Sequence, residues 1–224
     1  MKPSELASLI DHTLLRPEAT RTDVEALCSE AVEHGFATVC VNPSWVRLAC
    51  SSLGGSGTGI CAVAGFPLGA TGAKAWEAGR AVREGASEVD MVMAIGLLKG
   101  ADWAGVAADI REVVAAVEGR PVKVILETCL LTREEKLAAL EICAAEGAAF
   151  AKTSTGFSSN GATVEDVALL YFHARNRLKI KASGGIADLD TALRMLEAGA
   201  ARLGTSRSVG ILREMTERAA SGVF

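Results

Sequence analysis

Aromatic residues make up only 4% of the 224-residue chain, with a single tyrosine, Tyr171. So few flat rings give no platform on which bases could stack. The 23 lysines and arginines stand against 27 acidic residues, form no basic stripe, and leave a net charge of −4. Neither nucleic acid nor an anionic membrane is therefore an expected partner. No long apolar run is present either: the longest uncharged stretch, residues 48–73, is interrupted throughout by Gly and Ser and does not read as a membrane span. The start, Met1-Lys2-Pro3-Ser4-Glu5, lacks the apolar core of a secretory signal. The six cysteines include no C-x-x-C pair, and the three histidines (His12, His34, His173) are widely spaced, so zinc-ligand spacing is missing. These absences lead to the expectation of a cytoplasmic protein with reduced thiols, no metal and no other cofactor.

What the chain does have is hydrophobic residues, half of the total, enough for a substantial core. Short apolar runs at 9–12, 38–41, 60–64, 89–93, 122–127, 150–153, 179–182 and 201–204 read as strands. Between them, amphipathic stretches near 23–34, 44–53, 72–84, 102–117, 133–146, 164–176, 188–198 and 208–220 read as helices. Capping-box spacings begin at Thr22, Thr132 and Thr163, and Gly35, Gly85, Gly119, Gly147 and Gly199 each follow a helical pattern. Strands apolar on both faces, separated by single helices, imply a parallel sheet covered by helices. Eight of them favour a closed (β/α)8 TIM barrel, residues 1–224 as one domain, over an open doubly wound sheet with similar alternation. The glycine-rich run at 55–59 precedes a strand instead of following one, and residues 69–74 lack the Gly-Lys-Ser/Thr ending of a P-loop.

Two lysines end apolar strands. Lys152 closes the run from Ala148 and opens into Thr153-Ser154-Thr155-Gly156, and Lys181 stands before Ala182-Ser183-Gly184-Gly185. Burying an ammonium group is costly, and two lysines converging in one cavity disfavour each other's charge. One neutral amine would then serve as a nucleophile toward a carbonyl, forming a Schiff base. The alternative is that both heads reach out to water at the strand ends.

Catalytic groups of such a barrel gather at the carboxyl ends of the strands. Those ends read Asp11 and His12, Cys40 and Asn42, Phe66, Asp90, Glu127, Lys152, Lys181, then Gly204, Thr205 and Ser206. Carboxylates are rarely buried unpaired, so Asp90, flanked by aliphatics, is a candidate partner for the lysines. The glycines after the last two strands let backbone amides approach an anion at a helix start, the usual place for phosphate in this fold. A Schiff-base enzyme acting on a sugar phosphate is the reading these residues support.

The same segments resemble the deoxyribose-phosphate aldolase family. The matching stretches are LIDHTLL (9–15), VCVNP (39–43), GFPLG (65–69), EVDMV (88–92), KVILET (123–128), FAKTSTG (150–156), KASGGI (181–186) and LGTS (203–206). They follow the family's order and cover essentially the whole chain. The resemblance implies a class I aldolase, needing no metal, that reversibly cleaves 2-deoxy-D-ribose 5-phosphate to D-glyceraldehyde 3-phosphate and acetaldehyde. It implies that Lys152 forms the Schiff base, that Lys181 lowers the pKa of Lys152, and that Asp90 moves protons with Lys181 and a water. Asp11, Cys40 and Phe66 would line the sugar pocket, while Thr155, Gly156, Gly184, Gly185, Gly204 and Ser206 would hold substrate and phosphate. Its partners would be small sugar-phosphate and aldehyde substrates, with a homodimer or tetramer as the assembly. Two positions depart from the family. Arg207 follows Ser206 where a small residue is usual, and either contacts phosphate or turns outward. The chain ends in Phe224 instead of a tyrosine, which removes a tail hydroxyl as a proton route. The rival readings are a Schiff-base barrel aldolase for a ketose phosphate or keto acid, and a non-catalytic sugar-phosphate binding barrel.

Overall fold

The computed structural model describes residues 1–221; Phe224, and with it the departure at the chain's end, lies outside the described residues. Eight parallel strands close into a barrel in chain order, as the alternation predicts. They are β1 (Ile10–Leu14), β2 (Thr38–Val41), β3 (Gly59–Ala64), β4 (Glu88–Val92), β5 (Val122–Ile125), β6 (Phe150–Lys152), β7 (Lys179–Ser183) and β8 (Arg202–Thr205). Helices α2 (Arg21–His34), α3 (Val46–Leu53), α4 (Lys74–Arg83), α6 (Trp103–Ala116), α7 (Arg133–Ala145), α8 (Val164–Ala174), α9 (Leu189–Glu197) and α10 (Ser208–Ala220) follow the successive strands. Two short helices had no counterpart in the periodicity, α1 (Pro3–Ala7) and α5 (Ile95–Lys99). Each has five residues, too few for an apolar stripe to repeat.

Local chemistry sets the boundaries. The first capping box lies two residues earlier than expected: Thr20 and Asp23 bond reciprocally, with the Asp23 amide donating at 3.3 Å and the Thr20 amide at 2.8 Å. The i, i+3 spacing also fits Thr22 and Glu25, and only the path of the chain after β1 chooses between them. Thr132 and Thr163 cap α7 and α8 as expected. The expected strand at 122–127 stops at Ile125, and Glu127, at φ +56°, turns the chain away from the barrel. The helix expected from residue 72 starts at Lys74, because Gly72 sits at φ +82°.

The barrel separates two interiors. Outside it, aliphatic strand residues such as Val39, Val89, Val124, Ala151 and Ile180 pack against the helices as the main hydrophobic core. Inside it, a small apolar cluster of Leu15, Cys40, Cys61 and Val63 supports Phe66, Val92, Ile125 and Phe150 add apolar bulk, and the charged side chains of Asp11, Glu88, Asp90, Lys123, Lys152, Lys181 and Arg202 gather among them. The pairing register, Asp90 opposite Lys123, Lys152 opposite Lys181 and Asp11 opposite Gly204, turns these residues toward the axis in successive layers. Side chains from alternate strands share a layer. Asp11, Cys61, Lys123 and Lys181 therefore lie one level below Cys40, Asp90, Lys152 and Gly204.

Candidate active site

Asp90 is the centre of the barrel interior. Its Oδ2 accepts hydrogen bonds from Lys152 at 2.8 Å and Lys181 at 2.7 Å. Two such bonds to one oxygen cannot leave the two nitrogens more than 5.5 Å apart. The convergence expected for Lys152 and Lys181 is therefore present, with a carboxylate between them. Oδ1 accepts from Lys123 at 2.8 Å and from the Cys61 thiol at 3.0 Å. Lys181 also bonds Asp11, which accepts from Arg202 at 2.6 Å on its other oxygen. Lys123 reaches Glu88 at 2.6 Å, and Arg202 touches the same carboxylate at 3.4 Å.

Burial and charge compete throughout this network. Burial alone would raise Asp90 and Asp11, yet the surrounding cations hold both well below the usual carboxylate range: Lys123, Lys152 and Lys181 around Asp90, and Lys181, Lys123 and Arg202 around Asp11. Burial would lower Lys181 and Lys123, and the neighbouring carboxylates overcome it and raise both. Lys181 is thus a firmly charged member of the network. Two trios, Cys40 with Cys61 and Asp90, and Asp11 with Cys61 and Glu88, bring their donor atoms within 4.8 Å of one another. Every carboxylate in them is already bonded to lysine or arginine, a charge balance that does not suit a divalent cation.

Above this layer a cavity of about 430 Å³ opens at the carboxyl ends of the strands. Lys152 is the one lysine among its lining residues. Facing it are Gly204 of β8 and Thr155, Gly156, Gly184, Gly185 and Ser206 from the loops after β6, β7 and β8, with Arg16 and Arg207 at the rim. Gly184 and Gly185 have φ of +82° and +76°, a conformation that L side chains rarely adopt. Ser183 lines the same cavity, and its hydroxyl has no hydrogen-bond partner among the described residues. Phe66 is half-buried and meets the ring of Phe157, a lining residue, edge-on at 5.2 Å between centroids.

Asp11 and Cys40, expected to line the sugar pocket, lie under its floor and are fully buried. Asp11 is taken up by Lys181 and Arg202, and Cys40 by the inner apolar cluster. Lys123, Glu88 and Arg202 stand within or at the start of their strands, so the pattern of strand ends does not mark them. A signal was available: Lys123 shares strand parity with Ile125, and Glu88 with Asp90, so each faces inward. Thr155 is held from behind by Glu127, which accepts its hydroxyl and, at 3.3 Å, its amide.

Residues 6–214 match the model of the family described as DeoC/LacD family aldolase. A deoxyribose-phosphate aldolase of Clostridium kluyveri is 50% identical over 217 residues, covering 96% of this chain and all of that protein. One from Desulfitobacterium hafniense is 52% identical over 216 residues, covering 95% and 99%. Among solved structures, an aldolase named QR15 superposes with a TM-score of 0.93 at 40% identity over 97% of this chain and 98% of its own. The deoxyribose phosphate aldolase of Aeropyrum pernix, described as a tetramer, gives 0.90 at 33% identity over 96% and 92%. With lysine, aspartate and lysine hydrogen-bonded at the base of the cavity and these matches over nearly its full length, the chain belongs to the DeoC/LacD family of aldolases.

Proposed function

We propose that this chain is a deoxyribose-phosphate aldolase, cleaving 2-deoxy-D-ribose 5-phosphate reversibly to D-glyceraldehyde 3-phosphate and acetaldehyde through a Schiff base on Lys152. The observation that carries the reading is that Lys152 reaches the cavity while bonded to the carboxylate that also holds Lys181. The names of the relatives at about half identity support the substrate.

In this mechanism the Lys152 amine attacks the C1 aldehyde of the open-chain sugar, and water leaves to give an iminium. The iminium withdraws electrons, so the C2–C3 bond breaks as the C3 hydroxyl loses its proton. D-glyceraldehyde 3-phosphate departs, and the enamine left on Lys152 takes a proton at C2. Hydrolysis then frees acetaldehyde. Asp90 and Lys181, with a water, are placed to move these protons; groups so positioned typically contribute on the order of 10²–10⁴-fold. The Ser183 hydroxyl, unpartnered among the described residues, would meet a sugar oxygen. The phosphate would sit on the backbone at Gly184, Gly185, Gly204 and Ser206, beside the start of α10, with Arg207 and Arg16 adding charge from the rim. That remote binding energy positions the reacting carbons.

Acetaldehyde plus borohydride should label Lys152, identified by peptide mapping, and Lys152→Ala should abolish cleavage while keeping the fold. Label on another lysine, or turnover by the alanine variant, would refute the assignment. The iminium supplies the electron withdrawal that a Lewis acid would otherwise give, so activity should survive exhaustive chelation. A loss on chelation that zinc restores would place the enzyme in a metal-dependent class.

We further propose that residues 1–224 form one catalytic domain that assembles as a homodimer or tetramer, in line with the tetrameric Aeropyrum pernix enzyme. The six free cysteines suit a reducing compartment such as the cytoplasm. No helix among the described residues is long and apolar enough to cross a membrane.

A further inference from the structure

We infer that Lys123 is a positioning residue for the reaction: it holds one oxygen of Asp90 from below, turns the other toward Lys152 and Lys181, and supplies the cation that lets Lys152 work without a proton. The inference rests on the Schiff-base reading above.

The geometry is specific. Lys123 is fully buried and never reaches the cavity, so it cannot touch substrate. Its nitrogen bonds Asp90 Oδ1 at 2.8 Å, contacts Cys61 at 3.3 Å and pairs with Glu88 at 2.6 Å. Both other lysines bond Oδ2. With Oδ1 anchored, the carboxylate cannot rotate to offer its lone pairs elsewhere, and Oδ2 is fixed between the nucleophile and Lys181.

Charge counting gives Lys123 a second task. Every strand contributes a group to this interior. The carboxylates are Asp11 on β1 and Glu88 and Asp90 on β4. The buried or half-buried cations other than Lys152 on β6 are Lys123 on β5, Lys181 on β7 and Arg202 on β8; Lys179 of β7 lies over the same Phe150 ring as Lys123 and Arg202 but is exposed, so water screens it. The thiols of Cys40 on β2 and Cys61 on β3 complete the ring. Cys61 donates to Asp90, and burial raises its pKa. Contact with Cys61 lowers the Cys40 thiol from its usual value, while burial opposes ionisation. Three carboxylates are thus met by three cations before Lys152 is counted. An interior that already balances does not need the proton on Lys152, and a neutral amine is what attack on an aldehyde requires. Without Lys123, three carboxylates would face two cations, and Lys152 would keep its proton to make up the difference.

The test is the pH profile of acetaldehyde–borohydride labelling at Lys152. Lys123→Met should move the labelling midpoint upward by about 1–3 pH units, the usual effect of changing one nearby charge, and slow labelling at pH 7 about tenfold or more. Lys123→Met combined with Glu88→Gln removes one charge of each sign and should return the midpoint toward wild type. Glu88→Gln alone leaves a cation in excess and should move it downward, which keeps the idea testable if Lys123→Met does not fold. A lysine that merely fills space would lower the melting temperature and the active fraction but leave every midpoint in place, and that result would overturn the inference. If wild-type Lys152 is not labelled at all, the Schiff-base reading fails first. If it is labelled and the midpoints do not move, only the role of Lys123 fails.

Discussion

Gly204→Ala would test how tightly the nucleophile's surroundings are packed. Gly204 lies on β8, paired with Asp11 and Ser183. Its φ is outside the left-handed region, so alanine suits the backbone and only space is lacking. A Cβ there would press into the Ser183 hydroxyl and come within 3.0 Å of the Lys181 Cε. Overpacking by one methyl in a close-packed interior costs about 1–3 kcal/mol. For a chain of this length each kcal/mol lowers the melting temperature by roughly 2–4 °C, giving an expected drop of about 2–12 °C. Because the crowded stem belongs to Lys181, the damage should extend to turnover. A displacement of about 1 Å can cost on the order of 10²-fold, and it should fall mainly on kcat. Adding Ser183→Ala removes the closest obstacle and leaves no donor or acceptor stranded, since the Ser183 hydroxyl is unpartnered among the described residues. The double variant should regain most of the lost melting temperature. Thermal melts and steady-state cleavage of 2-deoxy-D-ribose 5-phosphate measure both effects. A Gly204→Ala enzyme that melts and turns over like wild type would refute the packing argument, as would a double variant no more stable than the single one.

Arg207→Ser should raise KM for the phosphorylated sugar by roughly 1.5- to fivefold, the range for a solvent-screened charged contact of about 0.2–1 kcal/mol, and should leave acetaldehyde labelling of Lys152 unchanged. An unaltered KM at low salt would mean that Arg207 turns away from the phosphate. The pH dependence of stability follows from the buried network. Asp11 and Asp90, held below the carboxylate range, contribute stability that is present above about pH 4 and lost as pH falls further. Lys181 and Lys123, held above the lysine range, contribute stability that is present below about pH 10.4 and lost as pH rises beyond it. Melting temperature should therefore form a plateau across the neutral range and fall on both sides. A narrow maximum near pH 6–7 would point to histidine titration and contradict this account.

Much of the architecture was legible along the chain because the period of an apolar pattern is a local property. Strands of three to six residues, largely buried on both faces, alternate with helices, and that alone points to a parallel sheet. Lys152, Lys181 and Asp90 stood out by the same logic, since each is a charged residue set among the apolar residues of a strand. Boundaries were less legible. Thr20 and Thr22 both satisfy the capping spacing, and the chain's exit from β1 decides which is used.

What the tertiary structure decided was the electrostatics. Sequence alone suggested two lysines repelling each other. Closing the barrel brings eight strands to one axis and adds Lys123, Glu88 and Arg202, distant in sequence and unremarkable in their own strands, to a single charge balance. It also moves Asp11 and Cys40 from the expected pocket wall to beneath its floor. Whether a strand-end group faces substrate or another side chain depends on the stagger between neighbouring strands. That stagger is fixed only when the last strand pairs with the first, a condition on the whole ring that no local segment carries.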